Sequence, residues 1–150
     1  MKIANYLNPA RTVQGAPASS KKKVLQEAAN LIAADSSRID AKELFRSLME
    51  RERLGSTGLG KGVAIPHGRI ADLASPVITI ARLRHPVDYD APDNLPVWLA
   101  VALLVPEKAN DTHLKILSLL AGCFQRDDFI SAIKGCSDAT SVMDVFDQFG

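Results

Sequence analysis

The stretch Val97-Trp-Leu-Ala-Val-Ala-Leu-Leu-Val105 is apolar at every position. It is far shorter than the roughly 20 residues that a membrane-spanning helix needs. A short, uninterrupted apolar run of this kind predicts a strand that is buried on both faces of a sheet. The run Val77–Leu83 alternates in part between apolar and polar residues and predicts a neighbouring strand with one wetter side. Between the two runs, Asp88–Pro96 is rich in Pro, Asp and Asn and indicates a loop.

Helical periodicity flanks these strands on both sides. Ser20 is predicted to cap one helix and Asp40 to cap a second, and the third runs to Phe124 with Asp111 or Thr112 as its cap. Two shorter helices are expected around 128–133 and 139–149. Helices before, between and after strands predict an α/β layered domain with a small mixed sheet.

The chain has 150 residues, of which 47% are hydrophobic and 23% charged, as expected for one globular domain. Residues 1–18 contain Pro9, Gly15 and Pro17 and are predicted to form an extended lead-in, either part of the same domain or mobile. Residues 19–150 are predicted to form the domain itself.

The charge balance argues against several classes of function. Lys and Arg total 18 and Asp and Glu total 17, a net charge of +1, which gives no electrostatic signature of nucleic-acid binding. The two cysteines are too few for a disulfide framework, and the spacing of the His and Cys residues supports no metal site. The first residues lack the pattern of a secretory signal. We therefore expect a cytoplasmic protein with no membrane insertion and no cofactor.

A glycine-rich segment, Arg51–Gly68, has the sequence RERLGSTGLGKGVAIPHG. Gly55–Lys61 matches seven of the eight positions of a nucleotide-binding P-loop. The eighth position should be Ser or Thr, to hold magnesium, but here it is Gly62. A P-loop also follows a strand and begins a helix, whereas this segment follows a predicted helix. Nucleotide hydrolysis by this loop is therefore excluded.

The same segment suggests another chemistry. Its glycines would let backbone amides approach an anion, Ser56 and Thr57 add hydroxyl groups, and Arg51 adds a planar cation. His67 is predicted to emerge at the tip of a short strand, Val63–Ile65, where it would be either a phosphoryl acceptor or an ordinary surface histidine. His113, in the first turn of the third helix, is open to the same two interpretations, and His85 is predicted to lie on the surface.

The string from Gly55 to Gly68 resembles the active-site signature of phosphotransferase-system enzyme IIA proteins of the mannitol/fructose class. It is most similar to the nitrogen-regulatory branch of that family. Two further stretches agree, namely Asp93–Pro106 and Thr112–Leu119. The resemblance covers the chain from about Leu7 onward, and it implies a three-layer α/β/α domain.

The resemblance also implies roles for four residues. His67 would accept a phosphoryl group, derived from phosphoenolpyruvate through enzyme I, from a small histidine phosphocarrier protein. His113, Arg51 and Ser56 would surround the phosphoryl site. The branch would regulate targets such as potassium-transport and sensor proteins according to its phosphorylation state. Lys61 replaces an asparagine of the branch and would place a cation beside the site.

Other functions remain open from the sequence. A sugar-specific IIA component would pass its phosphoryl group to a IIB domain, and an anion-binding module would hold a ligand without becoming phosphorylated. Metal-dependent hydrolysis by His67 and His113 is the weakest alternative, because the sequence offers no clustered third ligand.

Overall fold

The computed structural model describes residues 2–35, 39–108 and 110–149. It has a mixed six-stranded sheet between two layers of helices, which confirms the predicted three-layer α/β/α fold. The strands are β1 (Thr12–Ala16), β2 (Gly58–Gly60), β3 (Val63–Ala64), β4 (His67–Ile70), β5 (Val77–Val87) and β6 (Val97–Pro106). The helices are α1 (Lys21–Asp35), α2 (Ala41–Arg53), α3 (Asn110–Phe124), α4 (Asp127–Lys134) and α5 (Ala139–Phe149). None of these helices is long and apolar enough to span a membrane.

The apolar run forms β6, the strand around which the sheet is organised. β6 pairs antiparallel with β5 and parallel with β3 and β4. β1 lies parallel to β5 at one edge, and β2 lies antiparallel to β3 at the other. Alternate residues of β6 face opposite layers: Leu99, Val101 and Leu103 belong to the core beneath α3–α5, whereas Ala102 and Leu104 pack with α1 and α2.

β3 and β4 are two pieces of one interrupted strand. β3 pairs with Leu99 and Ala100 of β6, and β4 pairs with the next residues of β6, from Leu103 onward. Pro66 lies between the pieces and has no N–H, but its carbonyl accepts a hydrogen bond from the Leu103 N–H at 2.9 Å. The chain therefore stays in the sheet. The prediction that His67 emerges at the tip of a strand is wrong, because His67 begins the second piece.

The packing of α2 on β4 brings a helix end beside this interruption. A Cβ atom at Gly68 would overlap the Ser47 hydroxyl of α2, so glycine is required for this close approach. The Ser47 hydroxyl donates to the Arg69 carbonyl at 3.0 Å and accepts from the Arg69 N–H at 3.1 Å. Arg51, one helical turn after Ser47, is thereby held near His67.

Residues 2–18 pack into the domain. They form two 3₁₀ turns, Ile3–Tyr6 and Pro9–Arg11, before β1. Ile3 is fully buried, in the same core cluster as Phe146 of α5. This segment therefore supplies both an edge strand and part of the core.

Two predicted boundaries change. The third helix begins at Asn110, so Asp111 and Thr112, predicted as caps, lie inside its first turn. β5 continues to Val87 instead of ending at Leu83, because the pairing with β6 resumes beyond a register shift that accommodates Pro86. The caps at Ser20 and Asp40 are confirmed: their side chains accept the N–H groups of Lys23 at 3.2 Å and Lys42 at 3.0 Å.

Candidate functional site

His67 lies at the interruption of the β3–β4 strand and is half-buried. Its Nδ1 atom is 2.9 Å from the Ile65 carbonyl oxygen, which can only accept a hydrogen bond. Nδ1 therefore carries the proton of the neutral ring, and Nε2 keeps its lone pair. Burial lowers the pKa of His67 below its ordinary 6.5; the Arg51 charge lowers it further, while the Ile65 hydrogen bond and the Glu52 charge oppose this. The ring is therefore a neutral nucleophile near pH 7.

His113 lies beside His67. The two ring centroids are 5.3 Å apart, with an angle of 70° between the ring planes. His113 is the fourth residue of α3 and is only 7% exposed, so it is not the surface histidine that the sequence also allowed. Burial, with the charges of His67 and Arg69, lowers the pKa of His113 to about 4. Within the described residues its Nδ1 atom is buried without a hydrogen-bond partner.

Two clefts meet at His67, and both are lined by Arg51 and His67. The larger has a volume of about 420 Å³, and Arg69 and His113 also line it. The smaller has a volume of about 240 Å³, and Ser56 is one of its lining residues. The structure therefore brings together the four residues singled out from the sequence, His67, His113, Arg51 and Ser56.

Arg51 occupies the last turn of α2. Its guanidinium group donates to the Gly55 carbonyl at 2.9 Å, which anchors the side chain at the end of the helix. A guanidinium group has five N–H donors in a planar array, so this single hydrogen bond leaves others for an anion beside His67.

The Ser56 hydroxyl group donates one hydrogen bond and accepts another within the protein. Ser56 Oγ donates to the Tyr89 carbonyl at 3.2 Å and accepts from the Gly58 N–H at 3.1 Å. Its proton is therefore engaged within the protein, and its position on the smaller cleft comes from the loop that it stabilises.

Arg69 was missed by the sequence analysis. It is two residues after His67 on β4 and therefore points to the same face of the strand. It lines the larger cleft, and its charge contributes to the lowered pKa of His113. Extending the strand beyond Pro66 would have found it, because the spacing of two residues follows directly from strand geometry.

The glycine-rich segment does not form the expected cradle of free amides. The Thr57 N–H donates to the Glu52 carboxylate at 3.0 Å, the Gly58 N–H to Ser56, and the Lys61 N–H to Asp93 at 2.9 Å. Gly58–Gly60 pairs with β3, so the segment forms a β-hairpin. That prediction is wrong because the hairpin and its flanking side chains use these donors.

Lys61 is directed away from the clefts at His67, contrary to the expectation. Its ammonium group contacts Asp127 at 2.9 Å and the Gln125 carbonyl at 3.0 Å, between α3 and α4. It lines neither cleft at His67. The predicted surface position of His85 is confirmed, because this residue is exposed on β5.

The described part of the chain contains no cluster of three His, Cys, Asp or Glu side chains that could hold a metal ion. The arrangement at His67 instead combines a neutral imidazole, two arginines and a second neutral imidazole. Such a set suits the transfer of a phosphoryl group, because positioning and charge stabilisation supply most of the catalysis in that reaction.

A family model described as "Phosphoenolpyruvate-dependent sugar phosphotransferase system, EIIA 2" matches residues 5–149. A nitrogen regulatory protein from Pseudomonas aeruginosa is 39% identical over 145 residues, which cover 97% of this chain and 94% of that protein. Among solved structures, the nitrogen regulatory protein IIA-Ntr from Neisseria meningitidis aligns with a TM-score of 0.91 and 40% identity, over 96% of this chain and 98% of that one. The mannitol IIA protein from Escherichia coli aligns with a TM-score of 0.77 at 15% identity, over 93% of this chain and 98% of that one, and shares the fold.

Proposed function

Because the chain belongs to the EIIA 2 family of the phosphoenolpyruvate-dependent sugar phosphotransferase system, we propose that it accepts a phosphoryl group on His67 and regulates other proteins by its phosphorylation state. The donor in this proposal is a histidine phosphocarrier protein. Members of the family are phosphotransfer components that interact with phosphocarrier proteins, and nitrogen regulatory proteins are among the similar chains. The observation that carries the proposal is the hydrogen bond from His67 Nδ1 to Ile65, which leaves Nε2 as the nucleophile.

In the proposed reaction, the lone pair of His67 Nε2 forms the new N–P bond. The electron pair of the breaking P–N bond returns to the imidazole of the donor. His67 retains its Nδ1 proton, so the phosphorylated ring gains positive charge, and the Ile65 carbonyl stabilises that charge through the existing hydrogen bond. No other proton needs to move.

The surrounding side chains supply charge for the phosphoryl oxygens. Arg51 lines both clefts at His67, and Arg69 lines the larger one. In the proposal their guanidinium groups bind the equatorial oxygens as the group transfers. His113 is neutral near pH 7, so it offers one N–H to a phosphoryl oxygen without adding a further charge.

The rim of the clefts favours a protein as the donor. Leu54 lines the larger cleft and is 84% exposed, and Leu59 lines the smaller one and is 43% exposed. Large exposed apolar side chains around a site are typical of protein–protein contact. Regulated targets such as potassium-transport or sensor proteins are part of the proposal. They would respond to a net added charge of about −1, because the positive ring offsets part of the negative charge of the phosphoryl group.

The test is intact-mass spectrometry after incubation with phosphoenolpyruvate, enzyme I and the phosphocarrier protein. We expect an acid-labile gain of one phosphoryl group, absent in His67→Ala and retained in His85→Ala, because His85 is exposed and lines neither cleft at His67. We expect Arg51→Ala to slow the gain about 10²–10³-fold, as when one transition-state donor is lost.

Failure of the unaltered chain to gain mass, while a control IIA protein does, would contradict the proposal and favour an anion-binding module. Onward transfer to a purified IIB domain would instead identify a sugar-specific component.

A further inference from the structure

The carboxylate of Glu52 is buried close to the proposed phosphoryl site. Glu52 follows Arg51 in α2, but its side chain is only 3% exposed. Its Oε1 atom accepts the Thr57 N–H at 3.0 Å and lies 3.0 Å from the ammonium group of Lys21, and its Oε2 atom accepts the Thr57 hydroxyl at 2.6 Å. A buried carboxylate needs such compensation, because an unpaired charge away from water is strongly unfavourable.

The direction of the hydrogen bonds around Thr57 follows from these contacts. Since Thr57 donates its only hydroxyl proton to Glu52, it must accept at its remaining contact, the Tyr89 hydroxyl at 3.2 Å. Tyr89 is fully buried, and its burial raises the pKa of the phenol, which therefore remains protonated as the donor. The Tyr89 side chain also hydrogen-bonds to Glu52, so the hydroxyl groups of Thr57 and Tyr89 both serve the buried carboxylate.

Thr57 is joined to His67 by two further hydrogen bonds. The Thr57 carbonyl accepts the Ile65 N–H at 3.0 Å. The Ile65 carbonyl in turn accepts the Nδ1 proton of His67 at 2.9 Å. Ile65, which orients the nucleophilic ring, is therefore held by Thr57, and Thr57 is held by Glu52.

We propose that Glu52 is a positioning residue for phosphoryl transfer, which acts through Thr57 and Ile65 to fix the orientation of the His67 ring. The inference rests on the proposed function of His67. Glu52 also acts at a distance, since its charge opposes the lowering of the His67 pKa that burial and Arg51 cause. The positioning effect and the electrostatic effect of Glu52 are separable, because the Thr57 side chain takes part only in the positioning.

Two near-isosteric variants separate the positioning effect of Glu52 from its electrostatic effect. Thr57→Val removes the hydroxyl that donates to Glu52 and leaves the carboxylate charge in place. Glu52→Gln removes the charge and cannot accept both Thr57 hydrogen bonds and the Lys21 contact as a carboxylate does. We expect each to slow phosphoryl uptake about 10–100-fold, the scale that follows from displacing a reacting group slightly. Thr57→Ser retains the hydroxyl and is expected to restore most of the rate.

The second readout is the pKa of His67, measured by NMR titration of its ring without any phosphoryl donor. Glu52→Gln is expected to lower that pKa, because a nearby negative charge is lost, whereas Thr57→Val is expected to leave it close to that of the unaltered chain. Thr12→Val is the matched control: its hydroxyl also donates within the fold, to the Asn8 carbonyl at 3.1 Å, but it lies on the edge strand β1.

The inference is overturned if Thr57→Val takes up the phosphoryl group at the rate of the unaltered chain, or if it is slow and Thr12→Val is equally slow. If the pKa of His67 is the same in Glu52→Gln as in the unaltered chain, the electrostatic effect of Glu52 on His67 is contradicted. Failure of the proposed function is distinguishable, because then the unaltered chain gains no phosphoryl group while the titrations still report on Glu52.

Discussion

At the scale of single residues, His113 shows how the fold can change the chemistry of a side chain. Its pKa is lowered from 6.5 to about 4, through burial and the nearby His67 and Arg69. Its proton is thus bound more tightly in the unfolded chain than in the folded one. Between about pH 6.5 and 4 folding must therefore expel a proton, and stability falls as the pH falls through this window.

This predicts a flatter pH profile when His113 is replaced. The free energy of unfolding of the unaltered chain should decrease from pH 6.5 to 4, and His113→Gln should remove about 1–3 kcal/mol of that decrease. Urea unfolding followed by Trp98 fluorescence measures it, with His85→Gln as the exposed control. If the free energy of unfolding depends on pH equally in His113→Gln and in the unaltered chain, the lowered pKa of His113 is contradicted.

The site residues differ in how far the sequence could predict them. His67, Arg51 and His113 lie in motifs that resemble a known family, so they could be identified before their geometry was known. Glu52 could not, because a carboxylate next to Arg51 in a helix is usually solvated, and the charge that compensates its burial comes from Lys21 in another helix. Long-range partners of this kind leave no local pattern.

At the scale of elements, the turn of the β2–β3 hairpin disfavours a lysine at position 61, whereas the contacts of the lysine side chain favour it. Gly60 pairs with Val63, so Lys61 and Gly62 form a two-residue turn. Both have positive φ, 58° and 81°, as a type I′ turn requires. Glycine suits the second position, where a Cβ atom would overlap the Trp98 ring. Lysine is unfavourable at the first, but its ammonium group pairs with Asp127.

We expect Lys61→Asn to leave stability unchanged or raise it by up to about 1 kcal/mol. Asparagine tolerates positive φ better than lysine does, and an exposed ion pair contributes only about 0–1 kcal/mol. Asp127→Asn, which breaks the pair without altering the turn, should lower the free energy of unfolding by less than about 1 kcal/mol. A loss well above 1 kcal/mol in Lys61→Asn would show that the contact to α4 outweighs the strain of the turn.

Local signals predicted the elements well where the cause is local. The caps at Ser20 and Asp40 depend on neighbouring residues only. Pro66 misled the prediction, because a proline normally ends a strand, whereas here the Leu103 N–H supplies the hydrogen bond that keeps the segment in the sheet. The extension of β5 past Pro86 likewise depends on pairing with β6, which the residues of β5 alone do not indicate.

At the scale of the whole molecule, the first residues complete the core built by the last helices. Ile3 is fully buried, and the turn that contains it contacts α3 and α5. A single apolar residue in a segment that contains Pro and Gly gives no periodicity. The sequence therefore left open whether the segment packs against the domain. The structure shows that its burial depends on residues more than a hundred positions away.

Removing this contact should therefore destabilise the whole domain. Ile3→Ala is expected to lower the free energy of unfolding by about 2–5 kcal/mol, the range for truncating a fully buried aliphatic side chain. Leu95→Ala is the control, because Leu95 is 52% exposed. Urea unfolding that shows a loss below about 1 kcal/mol in Ile3→Ala would mean that residues 3–6 unfold independently of the sheet.

The meeting of Ile3 with α5 also constrains how the protein can fold on the ribosome. The turn Ile3–Tyr6 can complete its contacts with α5 only after that helix, which ends at Phe149, has been synthesised. At about 5–20 residues per second, synthesis of the intervening chain takes on the order of ten seconds. During that interval the apolar surface that α5 covers in the folded domain stays exposed, so a chaperone that binds nascent apolar segments would find a binding site on this protein before α5 is complete.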